Sequence, residues 1–191
     1  MNRPVVTALL VALAATSLAA CTVDVEPAPD CTEPGDATVI LLAQAVPTAT
    51  VVPCVGAVPA GWSFAGGQTR DGEGSLRLLS SQDGAGIIEL RLTATCAPGD
   101  APAVPPRPEE LGARVFDAPT SLEPLEGVRY VVFEGGCATI TYTFPGGIPA
   151  AQALEATHAF AYLPRADVVA RVEAEMGQIL CGAEAPPCEG E

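Results

Sequence analysis

Cysteine supplies the most reactive side chains of this 191-residue chain, and its seven copies fall into two sets. Cys21 stands behind Leu18-Ala19-Ala20, at the end of an apolar run that carries no charge. Cys31, Cys54, Cys96, Cys137, Cys181 and Cys188 are spread over the rest of the chain. An even number of thiols in an exported domain predicts three disulfides. Six cysteines pair in many ways, and spacing alone does not choose among them. Cys54, Cys96 and Cys137 fall in or beside predicted strands. Cys31, Cys181 and Cys188 lie toward the ends, where a bridge would secure fraying termini. Each bridge is worth about 2–4 kcal/mol. A zinc site is disfavoured, because no CxxC pair occurs and His158 is the only histidine.

Hydrolytic chemistry has one candidate. Gly61-Trp62-Ser63-Phe64-Ala65 approaches the G-x-S-x-G elbow of serine hydrolases, with Ala65 in place of the second glycine, and Asp117 and His158 follow in an allowed order. That elbow needs a strand–turn–helix context. Here it leads into a predicted strand, so no catalytic residue is assigned and the chain reads as a non-enzyme. Asp71, Glu73 and Asp83 sit near turns, where oxygens can meet calcium, but no EF-hand spacing is present. They read as solvated turn residues, and no metal or other cofactor is expected. Trp62, Tyr130, Tyr142 and Tyr162 are candidates for a binding groove. With aromatics at 5% of the chain, they read instead as the large pieces of a core built from small side chains.

Residues 1–20 have the parts of a secretory leader: Met1-Asn2-Arg3, then an uncharged apolar stretch over 4–18. That stretch is short of the about 20 residues a membrane-spanning helix needs. The sequence Leu18-Ala19-Ala20-Cys21 resembles the lipobox of bacterial lipoproteins. The resemblance implies that the leader is cut before Cys21 and that the sulfur receives a diacylglyceryl group (palmitate being a typical chain). It also implies acylation of the new amine and an anchor on the extracytoplasmic face of the cell membrane. Two acyl chains hold a protein stably where one does not. With Cys21 lipidated, the remaining cysteines number six, which agrees with the disulfide expectation.

Other segments carry a second resemblance. Leu41-Leu42-Ala43-Gln44-Ala45-Val46-Pro47-Thr48-Ala49, Pro53-Cys54-Val55 and Pro59-Ala60-Gly61-Trp62 are similar to segments of actinobacterial surface proteins with no assigned activity. Gly135-Gly136-Cys137 and Leu163-Pro164-Arg165 are similar to them too. The resemblance covers most of the mature domain and implies no catalytic or binding residues.

The elements that would position these residues are strands first and helices last. Residues 21–36 read as a lipidated cysteine and an acidic, Pro-rich tether, whose 22–36 stretch reaches roughly 50 Å when extended. Residues 37–191 suit one globular domain. Ile88, Leu90 and Leu92 alternate with Glu89, Arg91 and Thr93 at the period of a half-buried strand. Leu76 and Leu78 alternate likewise, and Asp83-Gly84 predicts the hairpin turn between them. A second hairpin is expected over 129–144 around Gly135-Gly136. A strand over 62–69 brings the total to about five, and 38–42 could add another. A helix is expected over 150–162, with a strand over 157–162 as its rival, and a second helix is expected after Pro164, ending at Gly177. Residues 97–127, rich in proline and poor in periodicity, read as a long loop around a minor helix at 108–112. The expected fold class is α+β: a disulfide-braced antiparallel sheet with one or two C-terminal helices on one face.

The formal charge of −14 rests on nine arginines, no lysine and 23 carboxylates. Such a chain is repelled by nucleic acid and by anionic headgroups. No phosphate-binding loop or dinucleotide fingerprint occurs. The expected role is a membrane-anchored, non-catalytic binding or structural module of the cell envelope. Its partner would be an envelope protein, a glycan or a small molecule, not nucleic acid. An envelope hydrolase using Ser63 and an exported protease-inhibitor-like module are the alternatives.

Overall fold

The structure is a computed structural model that describes residues 27–80, 86–144 and 155–180. The leader, Cys21, the Asp83-Gly84 turn, residues 150–154 of the expected helix, Cys181 and Cys188 lie outside the described residues.

Asp36 begins the first element. Its carboxylate accepts hydrogen bonds from the backbone N–H groups of Thr38 (2.8 Å) and Val39 (3.3 Å). Those donors would otherwise be orphaned at a helix start. Helix α1, Ala37–Ala45, follows, with Val39, Leu42 and Ala43 buried and Val46 continuing the stripe. The expected strand over 38–42 is thereby corrected. Thr38, Val39 and Ile40 are β-branched, but the cap and the three- and four-residue spacing of the apolar side chains decide for helix.

The strands follow in chain order: β1 Val51–Val55, β2 Trp62–Arg70, β3 Glu73–Ser80, β4 Ile87–Thr93, β5 Ala103–Val104, β6 Arg114–Leu122, β7 Leu125–Phe133, β8 Gly136–Phe144 and β9 Phe160–Pro164. Helix α2, Arg165–Met176, ends at Gly177 in the left-handed conformation. The expectation of about five strands becomes nine among the described residues. They form a seven-stranded antiparallel sheet, in the order β2-β3-β4-β8-β7-β6-β5, and a separate β1–β9 ladder. Of the helix expected over 150–162, residues 155–157 are helical and β9 takes residues from 160 on; α2 follows, and α1 joins it from the N-terminal side.

The inner face of the large sheet carries Leu76, Leu78, Ile88, Leu90, Leu92, Ala138, Ile140, Tyr142 and Phe144, all buried. Val39 and Leu42 of α1, Val52 of β1, Phe160 and Tyr162 of β9, and Val168 and Val172 of α2 belong to the same buried cluster. The molecule is therefore two layers: one large sheet, and a second layer made of α1, the small ladder and α2. The β7–β8 turn joins the layers. Gly135 adopts φ 69°, and a Cβ there would collide with the Thr48 carbonyl, so only glycine fits. Thr48 and Thr50 donate their hydroxyls to the carbonyls of Gly135 (2.7 Å) and Glu134 (2.8 Å).

Two further expectations change. Residues 97–127 are not one long loop: they hold β5, a 3₁₀ turn over Pro108–Glu110, β6 and the start of β7. The minor helix expected at 108–112 is that 3₁₀ turn. Strand β6 escaped the period-of-two reading because its inward positions include Asp117, and its pairing slips between Pro119 and Ser121. In the stretch read as a tether, residues from 29 on belong to the domain. The Val55 N–H donates to the Pro29 carbonyl (2.7 Å), Asp30 bridges Val55, and Cys31 is joined to Cys54.

Two disulfides lie among the described residues. Cys31–Cys54 has its Cα atoms 5.2 Å apart, and Cys96–Cys137 has them 5.8 Å apart. The second closes the end of the β4–β8 pairing, where Thr93 stands opposite Cys137. It spans 41 residues, so chain-entropy arguments give it about 3–4 kcal/mol. The double variant Cys96→Ala/Cys137→Ala should lose about that much in urea denaturation. A loss within experimental error would mean that the bridge restrains nothing.

Candidate functional site

The polar centre of the molecule is a row of inward-facing residues that changes character across the large sheet. Leu76, Leu90 and Ile140 stand side by side on β3, β4 and β8. The next two positions in the same row are Arg129 on β7 and Asp117 on β6. A guanidinium thus replaces an aliphatic side chain inside the core. Arg129 is only 4% exposed, and Glu110, which faces it, 1%.

The 3₁₀ turn delivers Glu110. Pro108 opens the turn, where its missing N–H is no loss. The Glu110 carboxylate folds back to accept the Arg107 backbone N–H at 2.6 Å. Its other oxygen takes Nη2 (2.7 Å) and Nε (3.1 Å) of Arg129. Nη1 of Arg129 donates to Asp117 at 2.6 Å. Arg107 lies over the same carboxylate at 3.4 Å and donates to the carbonyls of His158 (3.3 Å) and Phe160 (3.2 Å). This chain of contacts ties β6, β7 and the 3₁₀ turn to the start of β9.

The electrostatics follow from burial and pairing. Burial works against the Arg129 charge, but the Glu110 hydrogen bond and the field of Asp117 outweigh it and raise its pKa. Burial raises the phenol of Tyr142, helped by Asp117. Burial raises Tyr162 further, with Glu110 second. His158 keeps an exposed edge, yet its imidazole is held below the usual range, first by burial and then by Arg107 and Arg129. Glu110 and Asp117 oppose that shift without reversing it. The imidazole is therefore neutral at pH 7.

The residues singled out from the sequence are not gathered into one centre. Ser63 lies exposed on β2 and donates weakly to the Leu79 carbonyl at 3.4 Å. Asp117 lies on β6, five strand steps away, which is roughly 24 Å at about 4.8 Å per step. The Ser63/Asp117/His158 triad is not assembled. Glu73 pairs with Arg70 and Arg91 on the outer face. Among the described residues no group of three or more His, Cys, Asp or Glu side chains is placed to hold a metal ion. The four aromatics do not share a groove. Tyr142 and Tyr162 are buried, and Tyr130 stands on the outer face, in the row of Phe116 and Thr139.

Sequence reasoning missed Glu110, Arg107 and Arg129. The only signal was Arg129 at an inward position of a strand otherwise rich in valine. A cleft of about 450 Å³ lies near this cluster, between the β1–β2 link and residues 155–159. Trp62 and Pro59 line one side, Glu155 and His158 the other, and alanines fill the rest.

Removing one partner of a buried ion pair costs about 3–5 kcal/mol, whereas replacing both by apolar groups is near neutral. Glu110→Ala should therefore lower stability by about 3 kcal/mol, the low end because Arg129 keeps Asp117. The double variant Glu110→Leu/Arg129→Met should recover most of the loss in thermal denaturation. His158 gives a pH signature. Its folded pKa lies below the unfolded value, so the unfolded chain binds the extra proton first as pH falls. Stability contributed by the neutral imidazole is complete above about pH 6.5 and declines as pH drops toward the folded pKa. His158→Gln should flatten that part of the stability–pH curve between about pH 7 and 5, and an unchanged slope would refute the assignment.

No protein-family model, no curated protein and no solved structure matches the chain.

Proposed function

We propose that the protein is a lipid-anchored, non-catalytic binding or structural module on the extracytoplasmic face of the cell membrane. The observation that carries this reading is the division of the cysteines: one behind Leu18-Ala19-Ala20, the others available for pairing. Cys31–Cys54 and Cys96–Cys137 stand at bonding geometry, and disulfides persist outside the reducing cytoplasm. The fixing of residues 29–31 on β1 leaves seven residues, 22–28, between the anchor and the domain. Extended, they reach roughly 23 Å.

The buried charges fit a structural role, since Arg107, Glu110, Asp117 and Arg129 neutralise one another inside the fold. The Ser63/Asp117/His158 triad has lost its geometry, because Ser63 and Asp117 belong to distant strands. An inhibitor-like module would present a braced loop. Leu122, at the β6–β7 hairpin tip, is 79% exposed, but neither described disulfide lies at that tip.

Cys21→Ala tests the anchor. The wild-type protein should sediment with membranes and carry fatty acid on its amino-terminal cysteine by mass spectrometry, and the variant should be released to the medium. A variant that stays in the membrane pellet, or an unprocessed wild-type amino terminus, would defeat the reading.

A further inference from the structure

Trp62 is the only tryptophan of the chain. Its ring makes a T-shaped contact with Phe144, with centroids 5.4 Å apart and planes at 79°, and it also forms part of the cleft wall. The cleft volume, about 450 Å³, falls within the about 300–1,000 Å³ typical of small-molecule sites. Glu155 lines the same cleft; it is exposed and makes no ion pair among the described residues. His158, beside it, is kept neutral partly by Arg107 and Arg129, whose field works against a cation at that end of the cleft, so the charge is placed at Glu155.

Three features act on a cation in the same direction. The face of an indole attracts positive charge through its quadrupole. The Glu155 carboxylate supplies a partner. The net charge of −14 raises the local concentration of cations. Pro59 and the neighbouring alanines offer apolar contact to the body of a ligand. We propose that this cleft binds a small organic ammonium ion, with its apolar body against Trp62 and Pro59 and its charge paired with Glu155. The proposal deepens the binding-module reading but does not depend on the lipid anchor, because it concerns the domain alone.

Two other grooves among the described residues lack this combination. The groove of about 570 Å³ between residues 32–35 and α2 has no aromatic wall, and its Arg171 and Glu175 already pair at 2.7 Å. The outer face of β2–β4 spends its charges internally, through Arg70–Glu73, Arg91–Glu73, Arg91–Glu89 and Arg77–Glu89.

A single tryptophan makes the test direct. The purified full chain is titrated with phenethylammonium, with its neutral counterpart 2-phenylethanol and with anionic 3-phenylpropionate, and Trp62 emission is followed. The ammonium ion should give a saturable change that weakens with added salt. The alcohol should bind several-fold more weakly, and the carboxylate not at all. Glu155→Gln, an exposed and near-isosteric change, should weaken ammonium binding about three- to fivefold, as expected for a solvent-accessible ion pair. Calorimetry on Trp62→Phe supplies an independent readout, with a further loss expected. Equal binding of the alcohol, an unchanged affinity in Glu155→Gln, or no saturable response to the ammonium ion would each overturn the proposal. A protein that binds the amine yet is not membrane-anchored would refute the anchor and leave the cleft assignment standing.

Discussion

The buried guanidinium of Arg129 constrains everything at one end of the molecule. A charge in the core is tolerable only if it is paired and its donors are used. Glu110 takes two of those donors and Asp117 a third. Glu110 reaches that position only if the chain before β6 turns sharply, and Pro108 and the left-handed Leu111 bracket that turn. Arg107 then lies against the same carboxylate, and its remaining reach goes to the carbonyls of His158 and Phe160. A charge on β7 therefore fixes the course of the chain before β6 and the point where β9 begins. The gain is geometric specificity more than stability, because an apolar core of the same volume would be about as stable.

The same fact explains what the sequence disclosed and what it concealed. Strands β3, β4 and β8 were legible because their inward positions are aliphatic or aromatic: Leu76, Leu78, Ile88, Leu90, Leu92, Ile140 and Phe144 are all buried. Strand β6 was not, because Asp117 occupies the position where an apolar residue would have kept the alternation. Its meaning depends on Arg129, twelve residues away across a hairpin. Helix α2 was legible from Val168 and Val172, with Pro164 before it and Gly177 after it. Helix α1 was misread because Thr38, Val39 and Ile40 look like strand until Asp36 is recognised as a cap. The triad of Ser63, Asp117 and His158 passed a test of order along the chain and failed on strand order, which the sequence does not reveal.

A core rich in alanine and glycine draws its strength from close approach. Leu42 of α1 lies over Gly74 of β3, where a Cβ would come within 2.4 Å of a Leu42 methyl. Tyr142 fills the space above Gly127, so that a phenol on β8 occupies what would be a side-chain position on β7. The layers interlock because large residues on one element meet absent side chains on the next. Loss of a methyl group or gain of a Cβ at such contacts disturbs both partners, since the neighbouring atoms belong to buried side chains.

The Cys31–Cys54 bridge also determines where the amino-terminal segment leaves the domain. Residues 29–31 are held on β1, and residues 32–35 then run beside α2. That side of the molecule carries Glu33, Asp167 and Glu175 against Arg171 alone. The cleft beside Trp62 opens between the β1–β2 link and residues 155–159, elements that continue from the same small ladder. The bridge that fixes residues 29–31 and the walls of the cleft therefore depend on the same small ladder, so a change at Cys31 or Cys54 would reach the cleft through β1.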